Sequence, residues 1–287
     1  MWIDTHCHLD AGEFDADRAS VNEAAAAAGV TGIVLPAVAV SNFEAVRALA
    51  HGGPYGGPHG GPRGGTHCVY ALGIHPLCTP GAGQADLDAL RQQVAASIDD
   101  ARLVAIGEIG LDFFVPGLDA AHQTWLYTEQ LKIAREFDLP VLLHVRKSQD
   151  QVYAGLRRVG VRQGIAHAFN GSHEQARRYV EHGMKLGFGG NVTFSRARQI
   201  RRLAVDLPID AIVLETDAPD IAPAWLSDDQ FGEQHKARNT PAEVAGVARV
   251  MAELRGVSER DLADIVWRNA VAALPRLAAF ADLMAPR

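Results

Sequence analysis

A barrel of eight parallel strands, each followed by a helix, is the fold class that the sequence predicts, on three observations. Eight short apolar runs alternate with longer amphipathic stretches along the 287 residues. The runs are rich in Val, Ile and Leu rather than alternating with polar residues, the pattern of strands covered on both faces. Residues able to ligate metal also recur at the ends of these runs, where a (β/α)8 barrel places its active site. A doubly wound open sheet needs no eighth strand and usually carries a Gly-rich phosphate loop, which this chain lacks. The expectation is one barrel domain over residues 1–287.

In chain order, the expected strands are Trp2–His6, Gly32–Ala37 (GIVLPA), Val69–Gly73 (VYALG) and Leu103–Gly107 (LVAIG). They continue with Pro140–Val145 (PVLLHV), Gly164–Phe169 (GIAHAF), Lys185–Gly189 (KLGFG) and Ala211–Thr216 (AIVLET). Helices are expected between them at Arg18–Ala28, Ser41–Ala50, Leu87–Ile98, Ala121–Asp138, Gln149–Arg158, His173–His182 and Gln199–Leu207. Thr240-Pro241-Ala242-Glu243 reads as a capping box with Pro at the first helical position, opening a helix through Leu254. Ser258 starts the next helix, which Pro275 interrupts. The stretch HGGPYGGPHGGPRGGTH, His51 to His67, cannot hold a helix or a central strand. A flexible loop over about 51–66 is expected there, lengthening the connection into the third strand.

Composition narrows the function classes. Hydrophobic residues make up 48% and charged residues 21%, which excludes a disordered chain. A net charge of -7 gives no global attraction to nucleic acid, so any such binding needs a local patch. The segment from Arg146 to Arg202, its twelve basic residues opposed only by Asp150, Glu174 and Glu181, reads either as solvated helix faces or as a polyanion-facing surface. Cys7, Cys68 and Cys78 form no C-x-x-C pair, which suits a reducing compartment. With no signal-peptide pattern at MWIDTHCHLD and no apolar run long enough to span a bilayer, a cytoplasmic location is expected, without membrane partners. A monomer is the working expectation.

The polar residues at the strand ends carry the chemistry. His6 and His8 end the first strand, and on an extended chain residues two apart project together while Cys7 points away. His75 follows the third strand, Glu108 ends the fourth, His144 the fifth, His167 the sixth and Asp217 the eighth. Each has an innocuous reading alone, but buried imidazoles and carboxylates without partners would each cost stability. Together they read as a metal centre. Five imidazoles and two carboxylates are too many for one tetrahedral ion, so two divalent ions are expected, with Glu108 bridging them. Asp217 is expected to ligate one ion and to take a proton from the attacking water. An imidazole-rich shell favours Zn²⁺, Mn²⁺ or Fe²⁺ over Mg²⁺, though availability can override that preference.

Substrate contacts are expected from Arg146, which shares His144's face and could clamp a phosphate, and from Arg238 and Asn239 in the last loop. Phe113-Phe114 offers either a stacking surface for a base or a loop anchor.

The series IDTHCHLD, GIHP, IGEIGLDFF, HVRK, HAFNGS, LETDAP and RNTP resembles the TatD-like metal-dependent deoxyribonucleases of the amidohydrolase superfamily, from about Trp2 to Asn269. That resemblance implies a (β/α)8 barrel and a divalent-metal hydrolase acting on DNA, often as a 3′ exonuclease on single-stranded or frayed ends. It assigns His6, His8, Glu108, His144, His167 and Asp217 to the metal site, and matches His75 to the family's GxHP histidine, a substrate-contact or catalytic position. Some members remove D-amino acids from mischarged tRNA, which makes ester hydrolysis the alternative. The chain departs from the pattern at Leu77, where a second histidine is usual, and at Thr240, where an acidic residue is common. HAFNG replaces the usual HCFSG-like run, and the Gly-Pro loop is an insertion. These departures bear on substrate preference and leave the expected ligands untouched.

Overall fold

A computed structural model describes residues 1–52, 65–226 and 238–286. The Gly-Pro repeat falls largely at 53–64, outside the described residues. Eight strands lie where the apolar runs were: β1 (Trp2–Asp4), β2 (Val30–Pro36), β3 (His67–Leu72), β4 (Leu103–Asp112), β5 (Val141–Arg146), β6 (Gly164–Ala166), β7 (Met184–Phe188) and β8 (Ile212–Leu214). They form one parallel sheet in sequence order from β1 to β8. The ring is closed by Thr5 N–H on the Leu214 carbonyl (3.0 Å), Asp217 N–H on His6 (2.8 Å) and His8 N–H on Ala218 (2.8 Å). The fold is a (β/α)8 barrel.

The helices of the outer layer are α1 (Arg18–Ala27), α2 (Phe43–Ala50), α3 (Gln84–Ala96), α4 (Ala120–Glu136), α5 (Gln149–Val159), α6 (His173–Glu181) and α7 (Arg198–Asp206). After β8 come α8 (Val244–Arg255), α9 (Glu259–Ala273) and α10 (Ala281–Met284). Alternate residues of each strand enter different cores, as the two-residue period of an extended chain requires. Ile33, Leu35, Tyr70, Leu72 and Leu143 face the helices. Ile3, Val34, Val69, Leu142, Ile165 and Val213 face inward and pack on Ala270, Leu274, Leu277, Phe280 and Met284, which seal the lower end of the barrel. Inward phase at Leu142, Ile165 and Val213 carries the same face forward to His144, His167 and Asp217. The hydrophobic register therefore aims the polar residues into the upper mouth.

Three local expectations are corrected. β1 ends at Asp4, so His6 and His8 sit beyond the strand rather than on it, where the chain turns to bond Leu214 and Asp217. β4 runs to Asp112, which places Glu108 inside the strand. The capping box at Thr240 is not formed, because Glu243 instead accepts from Trp225 Nε1 (2.6 Å) and a short 3-10 turn precedes α8. Ser258 does cap α9, with Oγ accepting from Asp261 N–H (3.1 Å), and Pro275 opens a 3-10 segment beyond it.

Gly110 shows how closely β4 and β5 approach. Its φ is 151°, and a Cβ there would lie 2.0 Å from the His144 carbonyl oxygen. Gly110→Ala therefore has to open the strand pair that aligns Glu108 with His144. A loss of at least about 2 kcal/mol is expected, read as a lower urea midpoint with an unchanged slope.

Candidate metal centre

Glu108 lies at the centre of the mouth, with its side chain 1% exposed. Oε2 is 3.1 Å from His6 Nε2 and 3.4 Å from His8 Nε2. On the other side, Oε1 is 2.9 Å from both His144 Nδ1 and His167 Nε2, and 3.4 Å from His75 Nε2. Asp217 Oδ1 completes the first side at 3.6 Å from His6 Nε2 and 3.7 Å from His8 Nε2. Five imidazoles thus converge on one carboxylate and Asp217 joins them through His6 and His8, although the seven residues come from positions as far apart as 6 and 217.

The donor set fits divalent cations. Three overlapping groups bring their ligand atoms within 4.8 Å: His6, Glu108 and His167; His6, His8 and Asp217; His75, Glu108 and His144. Ring nitrogens also crowd one another, with His6 Nε2 at 3.3 Å from His8 Nε2 and His167 Nε2 at 3.4 Å from His144 Nδ1. A shared proton satisfies only one such pair at a time, whereas a cation accepts lone pairs from both.

The electrostatics show what a cation would displace. Burial, with the charge of His167, drives His6 down to about 3, and burial also lowers His75, so both rings are neutral. Burial alone would lower His8 too, but its hydrogen bond to Glu108 and the charges of Glu108 and Asp217 outweigh it and raise it to about 9. The same carboxylates overcome burial at His167 and raise it to about 10. For Glu108 the sign reverses: burial would raise it, yet the surrounding imidazoles hold it well below the usual carboxylate range. Burial dominates at Asp217 and raises it.

Tautomers separate the histidines into two kinds. The Leu77 N–H donates to His75 Nδ1 (3.1 Å), so the neutral ring carries its proton on Nε2 and points a donor into the mouth. His144 is oriented the other way, with Nε2 at 3.1 Å from Asp112 Oδ2 and Nδ1 toward Glu108. His75 is therefore placed as a hydrogen-bond donor, whereas His144 lies between two carboxylates, each able to accept from one of its nitrogens.

Several supporting residues escaped the sequence reading. Gln130 on α4 brackets Ile74, accepting from its N–H (2.7 Å) and donating to its carbonyl (3.1 Å), which fixes the approach to His75. Two helical turns earlier, Gln123 brackets Asp112 in the same manner at 2.9 and 3.1 Å. Asp4 accepts from the N–H groups of His6 (3.2 Å) and Thr216 (3.0 Å) and from Thr216 Oγ1 (2.5 Å), joining the loops that bear His6 and Asp217. Glu215 is fully buried beside His167, its Oε1 accepting from Ala168 N–H (2.5 Å). Room for it comes from Gly187, where a Cβ would lie 2.1 Å from Glu215 Oε2. The spacing of Glu215 and Asp217 on one strand face was the available signal.

Two residues expected as substrate contacts are engaged within the protein. Arg238 is held bidentately by Asp17 (3.0 and 2.6 Å), donates to the Glu13 carbonyl and stacks 4.6 Å from the Phe14 ring centroid. Asn239 is fully buried, and its Nδ2 donates to the carbonyls of Thr216 (2.9 Å) and Asp220 (2.6 Å), tying down the Asp217 loop. Arg146 is half-exposed at the mouth, with its guanidinium carbon 3.9 Å from the Phe114 ring centroid. Phe114 is 49% exposed, while Phe113 packs on the core, so the aromatic pair divides the two roles considered for it. In the basic segment, Arg177 pairs with Glu174 and Glu181, and Arg178 with Asp150.

A (β/α)8 barrel with imidazoles and carboxylates converging at its upper mouth defines a metal-dependent hydrolase. The family model for TatD related DNase matches residues 3–275, and the chain belongs to that family. It is 38% identical over 269 residues to the uncharacterized metal-dependent hydrolase YjjV of Escherichia coli K12, covering 93% of this chain and 95% of the relative. An uncharacterized metal-dependent hydrolase of Haemophilus influenzae is 32% identical over 276 residues, covering 94% and 97%. The crystal structure of YjjV superposes with a TM-score of 0.84 over 96% of this chain and 98% of its own. A TatD-family hydrolase structure from Entamoeba histolytica, 21% identical, shares the fold with a TM-score of 0.80 over 95% and 97%.

Because His8 and His167 are raised in the metal-free chain, their protons compete with a cation. Divalent-metal affinity is expected to rise with pH until about 9–10, where these rings are neutral. Calorimetry of Zn²⁺ binding at pH 7 in buffers of differing ionisation enthalpy should show net proton release.

Proposed function

We propose that this chain is a phosphodiesterase that removes nucleotides from the 3′ ends of single-stranded or frayed DNA, using two divalent ions drawn from Zn²⁺, Mn²⁺ or Mg²⁺. The observation that carries this reading is Glu108, which offers one oxygen to His6 and His8 and the other to His144 and His167. His6, His8, His144, His167, Glu108 and Asp217 would hold the ions. When bound, such ions acidify water and neutralise developing charge on phosphoryl oxygens.

The remaining steps belong to side chains. Asp217, whose proton affinity is raised by burial, accepts the proton of the attacking water on its carboxylate. His75 donates from Nε2 to the departing 3′ oxygen of the preceding nucleotide, the role its Leu77-fixed tautomer suits. Arg146 clamps a phosphate oxygen, and the exposed Phe114 ring beneath it supports the neighbouring base or sugar. A location in the cytoplasm accords with three cysteines that are all free thiols. No helix among the described residues is long and apolar enough to cross a membrane.

The test is degradation of end-labelled single-stranded DNA by purified protein with Mn²⁺ or Mg²⁺, and with chelator. Release of mononucleotides is expected with metal only, and Asp217→Asn should lower kcat about 10²–10⁴-fold. A folded, metal-loaded protein that leaves DNA intact would shift the reading to ester substrates such as D-aminoacyl-tRNA. His75→Gln should keep its full complement of metal, counted by elemental analysis, while kcat falls at least about 10²-fold. Arg146→Ala should weaken DNA binding and flatten the dependence of log K on log salt by about 0.7, as one lost phosphate contact on a single strand does.

A further inference from the structure

We propose that Asp112 is a positioning residue that sets the tautomer of His144 and so decides which ring nitrogen faces the metal site. The proposal rests on the metal-centre reading above. His144 stands between two carboxylates, with Nδ1 at 2.9 Å from Glu108 Oε1 and Nε2 at 3.1 Å from Asp112 Oδ2. Only one nitrogen can offer a lone pair to a cation, and the choice falls to the group that takes the other nitrogen's proton.

Asp112 is built to take that proton. Its side chain is wholly buried at the end of β4, four residues beyond Glu108 on the same strand. Oδ1 is already occupied, accepting from the N–H groups of Phe114 (2.8 Å) and Val115 (3.0 Å). Gln123 grips the Asp112 backbone at both its N–H and its carbonyl. The carboxylate is thus locked with Oδ2 toward His144, where an ionised oxygen can only accept. Glu108 can accept from Nδ1 in the same way, so the choice falls once a cation is held on the Nδ1 side: the neutral imidazole would then carry its hydrogen on Nε2, toward Asp112. His75 is the internal contrast: a backbone N–H occupies its Nδ1, so its hydrogen points into the mouth. The same Asp112 oxygen lies 3.9 Å from Arg146 Nη1, so one buried carboxylate serves both a ligand and the substrate-facing guanidinium.

Asp112→Asn separates this role from loop anchoring. The amide oxygen still accepts from Phe114 and Val115, but the amide nitrogen now meets His144 Nε2 as a donor. That favours hydrogen on Nδ1, the nitrogen needed by the metal. Zn²⁺ affinity measured by chelator competition should fall about 10–100-fold at one of two sites and less than about threefold at the other. Long-range ¹H–¹⁵N spectra of the unsubstituted, Zn²⁺-loaded protein should show His144 protonated on Nε2, a measurement that needs no variant. A folded variant with unchanged Zn²⁺ affinity, or an unsubstituted His144 protonated on Nδ1, would overturn the proposal. If the unsubstituted protein binds no Zn²⁺, the metal-centre reading itself fails. In that case the proposal falls with it, whereas unchanged Zn²⁺ affinity in a folded Asp112→Asn overturns the proposal alone.

Discussion

The buried charge of Glu108 is the interaction on which the rest of the site depends. An ionised carboxylate withdrawn from water costs several kcal/mol unless it is paired and hydrogen-bonded. Here the compensation comes from five imidazoles, brought by the ends of β3, β5 and β6 and by the turn after β1. None of them is close to Glu108 in sequence, so the charge is tolerable only once the barrel has closed. The same arrangement that stabilises the carboxylate leaves several rings protonated, and a bound divalent cation would take over what those protons do.

The strand ends that carry the site also carry backbone strain. Lys147, Ala168 and Asp217 have φ of 55°, 43° and 57°, a region that costs non-glycine residues about 1–3 kcal/mol each. Two of these directly follow or form part of the ligand set, at His167 and Asp217. At Asp217 the conformation is held by its N–H on the His6 carbonyl, by Asp4 on Thr216 and by Asn239 beneath the loop. Asn239 and Arg238 thus fasten the framework, whereas Arg146 and Phe114 remain at the open face.

Much of this was legible along the chain because a parallel barrel is written with a short period. Apolar runs marked the strands, and a ligand-type residue at the end of a run marked the mouth. That His144 and Arg146 share a face follows from two-residue alternation alone. The first strand misled because IDTHCHLD keeps an extended pattern beyond Asp4, whereas the regular ladder with β2 stops there and the chain bonds alternately to β2, at Val34, and to β8 and the loop after it, at Leu214 and Ala218. The ion pair of Arg238 was not legible, because its partner, Asp17, lies at the other end of the sequence.

The sequence by itself determined the barrel, the identity of the ligand-type residues and the edge of the sheet on which they stand, because burial and side-chain alternation are local properties of each strand. Only the tertiary structure decided how those residues are used. Gln123, Gln130 and Asp4 read as ordinary polar residues until packing removes water from them and leaves backbone groups as partners. The proton positions on His75 and His144 likewise depend on Leu77 and Asp112, one a neighbour in sequence and the other brought up by the β4–β5 pairing. Hydrogen-bond geometry between distant segments has no period, and so it leaves no pattern to read before the chain folds.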